Sequence, residues 1–339
     1  MVKKRLLACA LSLLMIGGTI SYPVPAAAAD PTALTSEGGE LQSGSYELTG
    51  PLTLSENLTI PAGAEVTLDL KGSTLTGNGT GSVITIENGA SLTLTDSGES
   101  GTVTGGNSAS GGGIYNNGTL LMTGGTVTDN TAQQGGGIYS SGSMTLQNVD
   151  ITDNSATGKM LFGGGISIGA ADDDVKIENC TITGNTAVSG GGGIAYVDSD
   201  SSGKYVRITD CIVTDNSAQG GVQSGGGGIL TYGNAAVSNC YITDNTAGYS
   251  GGGVAFGPTP TLGITPSLML SNSIIQKNSA GTYGGGIVTS SIDSLTISGG
   301  SVTGNTSANG GGIAAVLTGF TLTDGGVIAN NTASTGGDD

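Results

Sequence analysis

Two acidic clusters contain the residues best suited to bind a cation. Asp172, Asp173 and Asp174 are consecutive, and Asp198 and Asp200 follow one repeat later. Carboxylate oxygens are the ligands that Ca²⁺ prefers, and both clusters fall in elongated turns of successive repeats. One interpretation is therefore a calcium site between the two turns. The other, which we favour, is a pair of solvated loops, because neither cluster follows a known calcium-loop pattern.

Three cysteines could bind a metal or form a disulfide. Cys180, Cys211 and Cys240 occupy the same position, five residues before a recurring asparagine, in three successive repeats. By strand alternation they point inward. Parallel side chains at strand spacing hold their Cβ atoms further apart than a disulfide prefers, and a metal site would need histidine or paired cysteine spacing. We predict three free buried thiols, with a disulfide after export as the alternative.

The recurring asparagine is a further candidate, since it repeats at intervals of 23 to 33 residues. In stacked repeats such amides lie above one another and can hydrogen-bond to their neighbours and to turn backbone. A row that is satisfied internally has nothing left to offer a substrate, so we predict a structural ladder. Its predicted members are Asn107, Asn130, Asn154, Asn185, Asn216, Asn245, Asn278, Asn305 and Asn331.

Glycine runs alternate with these asparagines and superficially resemble phosphate-binding loops. No Lys-Ser/Thr pair follows them and no helical pattern begins there, which argues against phosphate binding. A corner that needs positive φ and close backbone approach, once per repeat, explains them better. The eight runs end in Ile114, Ile138, Ile166, Ile194, Ile229, Val254, Ile287 and Ile313.

The spacing around the asparagines defines the elements that position all these residues. One apolar residue stands eight positions before the asparagine and another three before it, as Leu146 and Ile151 do before Asn154. The constant spacing indicates two strands joined by a fixed bend, whereas the other turns vary in length. Self-similarity at this period is typical of a solenoid. The predicted fold is all-β, a single-stranded right-handed parallel β-helix (β-solenoid) with three strands per coil and about 23–35 residues per coil.

Two outward columns accompany the asparagine row. The first, directly before it, is acidic and has the same two interpretations as the acidic turns; it contains Asp129, Asp153, Asp215 and Asp244.

A threonine column stands two residues before the asparagine row. Flat threonine arrays can bind ice, but the neighbouring column is irregular, so the preference of threonine for strands explains it better. The threonine column contains Thr128, Thr152, Thr183, Thr214, Thr243 and Thr303.

The chain divides into four predicted segments. Residues 1–29 have the basic start, short apolar stretch and small-residue end of a signal peptide. A polar lead-in over 30–45 precedes the capping and first coils over 46–106, and regular repeats occupy 107–339. Because the last residues open a further repeat, we expect the chain to be truncated there. Its C-terminal edge would then continue into further coils or pair with another chain.

The charge of the chain restricts its partners. Beyond residue 29 it carries 26 acidic and six basic residues. Such a surface repels phosphate backbones, which excludes nucleic acid and anionic membranes, and no second apolar stretch is long enough for membrane insertion. We expect a secreted or cell-surface protein without a cofactor, Ca²⁺ being the alternative left open.

The repeats resemble those of polymorphic outer-membrane proteins and related adhesin-like surface proteins. Those families pair a GGA-aliphatic motif with F-x-x-N, and here GGG-Ile runs are paired with x-D-N-T/S-A over residues 105–339. The stretch NLTIPAGAEVTLDLKGSTLTG, residues 57–77, is similar to the opening coils of many secreted β-helix proteins of the pectate-lyase-like fold. The phenylalanine is replaced by Val127, Ile151 and Ile182, which departs from the family pattern. The resemblance implies fold, surface location and adhesion, and it transfers no catalytic residue.

We therefore predict a non-enzymatic, adhesin-like or structural surface that binds a glycan or a host or matrix partner. The alternative is a polysaccharide lyase or hydrolase on the same fold. Lyases that this chain resembles use an Arg or Lys base beside acidic Ca²⁺ ligands, which implies Lys176, Lys204 and Arg207 near the acidic turns. Glycosidases need two carboxylates at a set separation, which a sequence does not give.

Overall fold

The chain folds into a stack of coils in which each strand pairs with its equivalents one coil earlier and later. All regular secondary structure in the described residues is β-strand, and every pairing between the strands named below is parallel. The predicted all-β, right-handed parallel β-solenoid is thereby confirmed. No helix in this part of the chain could cross a membrane. The structure, a computed structural model, describes residues 30–160, 162–169, 175–198, 204–220, 225–257 and 266–338.

Sheet A consists of two side-by-side columns of strands, A1 and A2, which merge near the C-terminal end into β36 (Ile287–Ser298) and β39 (Ile313–Thr323). Column A1 also contains β2 (Gly38–Glu40), β5 (Glu56–Ile60), β8 (Ile84–Ile86), β12 (Ile114–Asn116), β16 (Ile138–Ser140), β20 (Ile166–Ile168), β24 (Ile194–Val197), β28 (Ile229–Tyr232) and β32 (Val254–Phe256). Column A2 also contains β1 (Thr32–Ala33), β3 (Gly44–Glu47), β6 (Glu65–Asp69), β9 (Ser91–Thr95), β13 (Thr119–Thr123), β17 (Ser143–Gln147), β21 (Val175–Glu178), β25 (Tyr205–Thr209), β29 (Asn234–Ser238) and β33 (Ser267–Ser271).

Sheets B and C complete the coil, which has three faces. Three strands per coil were predicted, but a typical coil has four short strands, because a bend such as the one at Asn117 and Gly118 divides the first face into columns A1 and A2. Sheet B contains β4 (Leu52–Thr53), β7 (Thr74–Thr76), β10 (Thr102–Thr104), β14 (Thr126–Thr128), β18 (Asp150–Thr152), β22 (Thr181–Thr183), β26 (Ile212–Thr214), β30 (Tyr241–Thr243), β34 (Ile274–Gln276), β37 (Ser301–Thr303) and β40 (Val327–Ala329). Sheet C contains β11 (Asn107–Ser110), β15 (Thr131–Gln134), β19 (Ser155–Ala156), β23 (Thr186–Ala187), β27 (Ser217–Ala218), β31 (Thr246–Ala247), β35 (Ser279–Ala280), β38 (Thr306–Asn309) and β41 (Thr332–Gly336).

Aliphatic side chains in register form the core. Leu146 pairs with Ile177 in column A2, and Ile151 pairs with Ile182 in sheet B, and all four side chains are fully buried. Burying one such side chain contributes about 1.5–3 kcal/mol. The bend between A2 and B passes through left-handed residues, one in some coils, such as Asn179 at 52°, and two in others, such as Gly124 and Gly125 at 79° and 80°. This short left-handed bend explains why the spacing between the two strands is constant through the regular repeats; from Leu322 to Ile328, in the last coil, it is one residue longer.

The predicted asparagine ladder is present and lies at the turn between sheets B and C. Asn216 donates to Asn245 Oδ1 from both its backbone N and its Nδ2, each over 3.0 Å. Its Nδ2 also donates to the carbonyl oxygen of Ile182 over 2.8 Å. The buried amide is therefore satisfied by its own neighbours, as predicted for a structural row. The buried members are Asn130, Asn154, Asn185, Asn216, Asn245, Asn278, Asn305 and Asn331.

Asn107 was predicted to open this ladder, and that prediction is wrong. Asn107 is exposed and pairs in register with Thr131, one residue beyond Asn130. Gly106 occupies the ladder position, and its backbone N donates to Asn130 Oδ1 over 3.0 Å. A Cβ on Gly106 would lie 1.7 Å from the carbonyl oxygen of Gly112, so no side chain fits there.

The glycine runs face the asparagine motif across a narrow corner of the coil. A Cβ at Gly136 would lie 2.5 Å from the backbone N of Ser155, and one at Gly137 would lie 3.0 Å from Cγ of Asn154. Gly135 opens the same run with a φ of 60°. The first glycine therefore supplies the turn, and the next two leave room for the opposite corner. The N–H of Gly137 donates to the next coil at Gly165, over 3.0 Å.

The first coil begins earlier than the sequence indicates. Residues 30–45, predicted to be a polar lead-in, contain β1, β2 and the start of β3, and Leu34 and Leu41 are buried at 8% and 6% exposure. Short strands rich in Gly, Ser and Glu conceal the alternation there. The predicted signal peptide, residues 1–29, lies outside the described residues.

The core side chains of the last described coil are more exposed than those before them. Phe320 and Leu322 pair in register with the buried Leu295 and Ile297, and they are 47% and 41% exposed. The expectation that the C-terminal edge continues or pairs with another chain stays a prediction.

Candidate functional site

The outward face of column A2 carries a charged patch, which we define as Gln147, Lys176, Glu178, Tyr205 and Arg207 on strands β17, β21 and β25. Lys176 and Arg207 are register partners in adjacent strands, and Glu178 is the partner of Gln147. Adjacent strands lie about 4.8 Å apart, so the two cationic side chains begin as close neighbours. The structure thus brings together two of the three basic residues singled out in the sequence.

Contacts within the charged patch hold several of its side chains in place. The Nε2 of Gln147 donates to Glu178 Oε2 over 2.9 Å. The guanidinium carbon of Arg207 lies 5.2 Å from the centroid of the Tyr205 ring, within the range of a cation–π contact. Lys176 and Arg207 are exposed, whereas Gln147, Glu178 and Tyr205 are half-buried. The patch offers a ring, two cations, a carboxylate and an amide on one open face.

The charged patch departs from the composition of the rest of its column. The residues in register with Lys176 and Arg207 are Thr145 on one side and Ala236 on the other. In other coils the equivalent outward positions are also mostly small or uncharged, as at Thr93 and Thr296. The long charged side chains are therefore a local feature that the coil geometry does not require.

A shallow groove of about 510 Å³ runs along the edge of the charged patch, at the bend between A2 and B. Asn239 Nδ2 donates to Asp210 Oδ1 over 3.1 Å, and Asn179 Nδ2 donates to Asn148 Oδ1, so amide and carboxylate groups form an outer row along this bend. Its lining residues are Gln147, Asn148, Glu178, Asn179, Thr209 and Asp210. The groove was not predicted, because its members are separated by about 30 residues in the sequence and meet only when the coils stack.

The acidic turns are only partly within the described residues. Asp172, Asp173, Asp174 and Asp200 lie outside them. Asp198 follows strand β24, is 4% exposed, and its backbone N donates to the carbonyl oxygen of Tyr232 over 3.1 Å. Within the described ranges no group of three or more His, Cys, Asp or Glu side chains could hold a metal ion. Calcium binding at these turns stays a prediction, as does the contribution of Lys204, which directly precedes β25.

The acidic column before the asparagine ladder has a backbone explanation. Asp129, Asp153, Asp215 and Asp244 have φ between 54° and 57°, in the left-handed region. Gly184 takes the same position in another coil, with φ of 68°. Asp, Asn and Gly are the residues that tolerate this conformation. The turn therefore explains why aspartate recurs at this position, and cation binding by the column stays a prediction.

The three cysteines are free and buried, as predicted. The backbone N of Cys211 donates to Cys240 Sγ over 3.4 Å, and Cys240 Sγ donates to the carbonyl oxygen of Ser238 over 3.1 Å. Hydrogen bonding with the Cys211 thiol, together with burial, raises the pKa of both Cys180 and Cys240. These two thiols are therefore protonated near neutral pH and pack as small apolar groups.

The outward face of sheet B carries the threonine column, and it is interrupted. Thr128 and Thr152 belong to the column, but their neighbours two residues earlier change from coil to coil. Ile212 and Tyr241 occupy that neighbouring column and are 45% and 52% exposed. Apolar side chains of different size break the flat array, so strand preference remains the better explanation of the threonines.

The stacked sheets, the internal ladders and the side chains displayed on one open face define a parallel β-solenoid. The chain belongs to the right-handed β-helix family: the family described as "Right handed beta helix region" matches residues 62–235 and 164–338. No curated protein and no solved structure matched the chain. The resemblance to right-handed β-helix repeat proteins is thus confirmed for the fold.

Proposed function

We propose that this protein is an extracellular, non-enzymatic binding scaffold of the adhesin type, whose charged patch contacts a glycan or a protein of a host surface or matrix. The observation that supports this most directly is the pair of cationic side chains, Lys176 and Arg207, at an outward position that Thr145 and Ala236 occupy in the neighbouring coils. Outward positions do not contribute to the aliphatic core, so long charged side chains there serve recognition and not folding.

The composition of the charged patch suits a large partner. Arg and Tyr are enriched at the centres of protein interfaces, because each combines a wide contact area with directed hydrogen bonds. Arg207 is held against Tyr205, and Glu178 is held by Gln147. These side chains are therefore partly ordered before a partner binds, which reduces the conformational entropy lost on binding. The open face admits an extended polymer or a protein surface.

The rigid coil stack supports this role. The asparagine ladder, the thiol row and the parallel sheets fix the strands that carry the charged patch relative to one another. A fixed array binds with less loss of conformational entropy than a flexible one. The predicted signal peptide would direct the chain out of the cytoplasm. Such a scaffold would meet its partner outside the cell.

A binding screen tests the proposal. The purified chain is applied to immobilised glycans and matrix proteins, with and without calcium, and the Arg207→Ala and Lys176→Ala variants are compared with Thr296→Ala, a matched control in the same column. We expect at least one partner whose affinity falls tenfold or more, about 1.4 kcal/mol, in the patch variants but not in the control. A screen with no partner, or with equal effects of all three variants, would contradict the proposal.

A polysaccharide lyase is the second candidate, favoured by the adjacency of Lys176 and Arg207. Two neighbouring cationic side chains offer one group to bind a sugar carboxylate and another to accept a proton. The test is the release of unsaturated sugars from acidic polysaccharides, followed by absorbance. Release that is lost in Arg207→Ala or Lys204→Ala would overturn the non-enzymatic proposal and locate the site.

A further inference from the structure

A second concave site lies on the opposite edge of sheet A, toward the C-terminal coils. It is a groove of about 450 Å³, which we name the tyrosine groove. Its walls are Tyr249 and Tyr283, in the turns that lead into β32 and β36, and its floor includes Val288, Ala314 and Val316 from β36 and β39. The volume is within the range of small-molecule sites, about 300–1,000 Å³.

The two tyrosines are fixed relative to each other. Their ring centroids are 5.9 Å apart, and the ring planes meet at 84°. The backbone N of Tyr283 donates to the carbonyl oxygen of Tyr249 over 3.2 Å, and the N of Gly251 donates back to the carbonyl oxygen of Tyr283 over 2.9 Å. An edge-to-face pair leaves ring surface available, and Tyr283 is 42% exposed.

The lining of the tyrosine groove is uncharged. None of its described lining residues is acidic or basic, although the chain as a whole contains 26 acidic residues. The polar side chains among its lining residues all carry hydroxyls: Ser250, Thr289, Ser290 and the two tyrosines. Val316, at 65% exposure, adds apolar surface to the floor. A ligand that fits must therefore be uncharged, with an apolar face and hydroxyl groups at its edge.

We propose that the tyrosine groove binds a neutral sugar, a hexopyranose unit of an uncharged glycan. A pyranose ring has a flat face of C–H groups, which packs on an aromatic ring, and a rim of hydroxyls, which pair with the serine and tyrosine hydroxyls. Since the tyrosine groove and the charged patch share no residue, this site does not depend on the partner of the charged patch.

The test is calorimetric titration of the full chain with cellohexaose and with maltohexaose, two neutral glucose hexamers that differ in linkage. We expect at least one to bind with a Kd of about 1 mM or tighter. Tyr283→Ala should weaken this binding tenfold or more, because the stacking surface is lost. Tyr283→Phe keeps the ring and should stay within about threefold of the original affinity. Melting temperatures of both variants establish that the coils remain folded.

Tyr205→Ala is the matched control, since it removes a tyrosine from the charged patch and leaves the groove intact. If the hexamers bind but lose affinity in Tyr205→Ala and not in Tyr283→Ala, the groove inference fails while the proposed binding function stands. Absence of binding by both hexamers also overturns it. If Tyr283→Ala abolishes the fluorescence of a bound apolar dye and neither hexamer binds, the groove is an apolar docking site and not a sugar site.

Discussion

Asn185 Oδ1 accepts two hydrogen bonds from Asn154, one from its backbone N and one from its Nδ2, both over 3.0 Å, although 31 residues separate the two asparagines. A single side-chain oxygen thus ties one coil to the next at the turn between sheets B and C. Because the coils from Asn130 to Asn331 repeat the arrangement, the row fixes the register in which the strands of the charged patch and the tyrosine groove are displayed.

Replacing one member of the row should destabilise the stack strongly. Asn185→Ala leaves both donors of Asn154 and the carbonyl oxygen of Ile151 without their partner. Each unsatisfied buried group costs about 1–3 kcal/mol, so we expect a loss of about 3 kcal/mol or more, measured by denaturant unfolding. Asn107→Ala, at an exposed position outside the row, is the control and should change stability by about 0.5 kcal/mol or less. Equal effects of the two variants would show that the ladder is not the stabilising element.

The backbone explanation of the acidic column makes a second prediction. Asp153 has φ of 54°, so Asp153→Asn should leave the melting temperature unchanged, since asparagine tolerates this conformation equally well. Asp153→Val should cost about 1–2 kcal/mol, because valine is β-branched and lacks the short polar side chain that lets Asp and Asn hydrogen-bond to the backbone in the left-handed region. If Asp153→Asn were as harmful as Asp153→Val, the negative charge and not the turn would be what the position requires.

Much of the fold could be predicted from the sequence because local spacing is directly visible there. The inward positions of Leu146 and Ile151, the inward thiols and the asparagine row all follow from strand alternation and a constant interval. Asn107 was misplaced because Gly105 and Gly106 shift the motif by one residue, as the register with Thr131 shows. The interval of 23 residues, shorter than all the others, was the available signal.

The candidate sites were less accessible to prediction for a physical reason. Tyr249 and Tyr283 meet through stacking of coils, and their turns differ in length, so no fixed spacing marks them. The neighbouring positions of Lys176 and Arg207 could have been found by aligning the two repeats on Ile177 and Ile208. These two isoleucines pair in register in column A2. The left-handed turn of the acidic column also had a signal, because glycine takes its place at Gly184.

Cys180 and Cys240 should resist alkylation while the protein is folded. Since the pKa values of Cys180 and Cys240 are raised by hydrogen bonding with Cys211 and by burial, these thiols stay protonated at about pH 8.5, where an unfolded cysteine is half ionised. Their contribution to stability is complete below that pH and declines as the pH rises above it. Iodoacetamide at about pH 8.5 should label them only after denaturation, as followed by mass spectrometry. Rapid labelling of Cys180 or Cys240 in the folded protein, or an intramolecular disulfide, would contradict the prediction.

One buried hydroxyl offers a stabilising substitution. Thr231 and Thr289 occupy equivalent inward positions of column A1: Thr231 pairs in register with Phe256, and Phe256 pairs with Thr289. The two threonines are 1% and 2% exposed. Thr231 Oγ1 donates to the carbonyl oxygen of Gly233 over 3.1 Å, at the turn between β28 and β29. Within the described part of the chain the hydroxyl of Thr289 has no partner. The reason is that β36 runs through without that turn, so no carbonyl group folds back toward the side chain.

Thr289→Val removes an unsatisfied hydroxyl and keeps the shape of the side chain, so it should raise stability by about 1 kcal/mol. Thr231→Val is the matched control and should lower stability by about 1 kcal/mol, because the carbonyl oxygen of Gly233 loses its donor. Thermal unfolding of the two variants at one pH and salt concentration shows whether each substitution raises or lowers stability. If both variants were destabilised alike, a water molecule or another group must hydrogen-bond to the Thr289 hydroxyl. The missing turn in β36 would then not leave that hydroxyl without a partner.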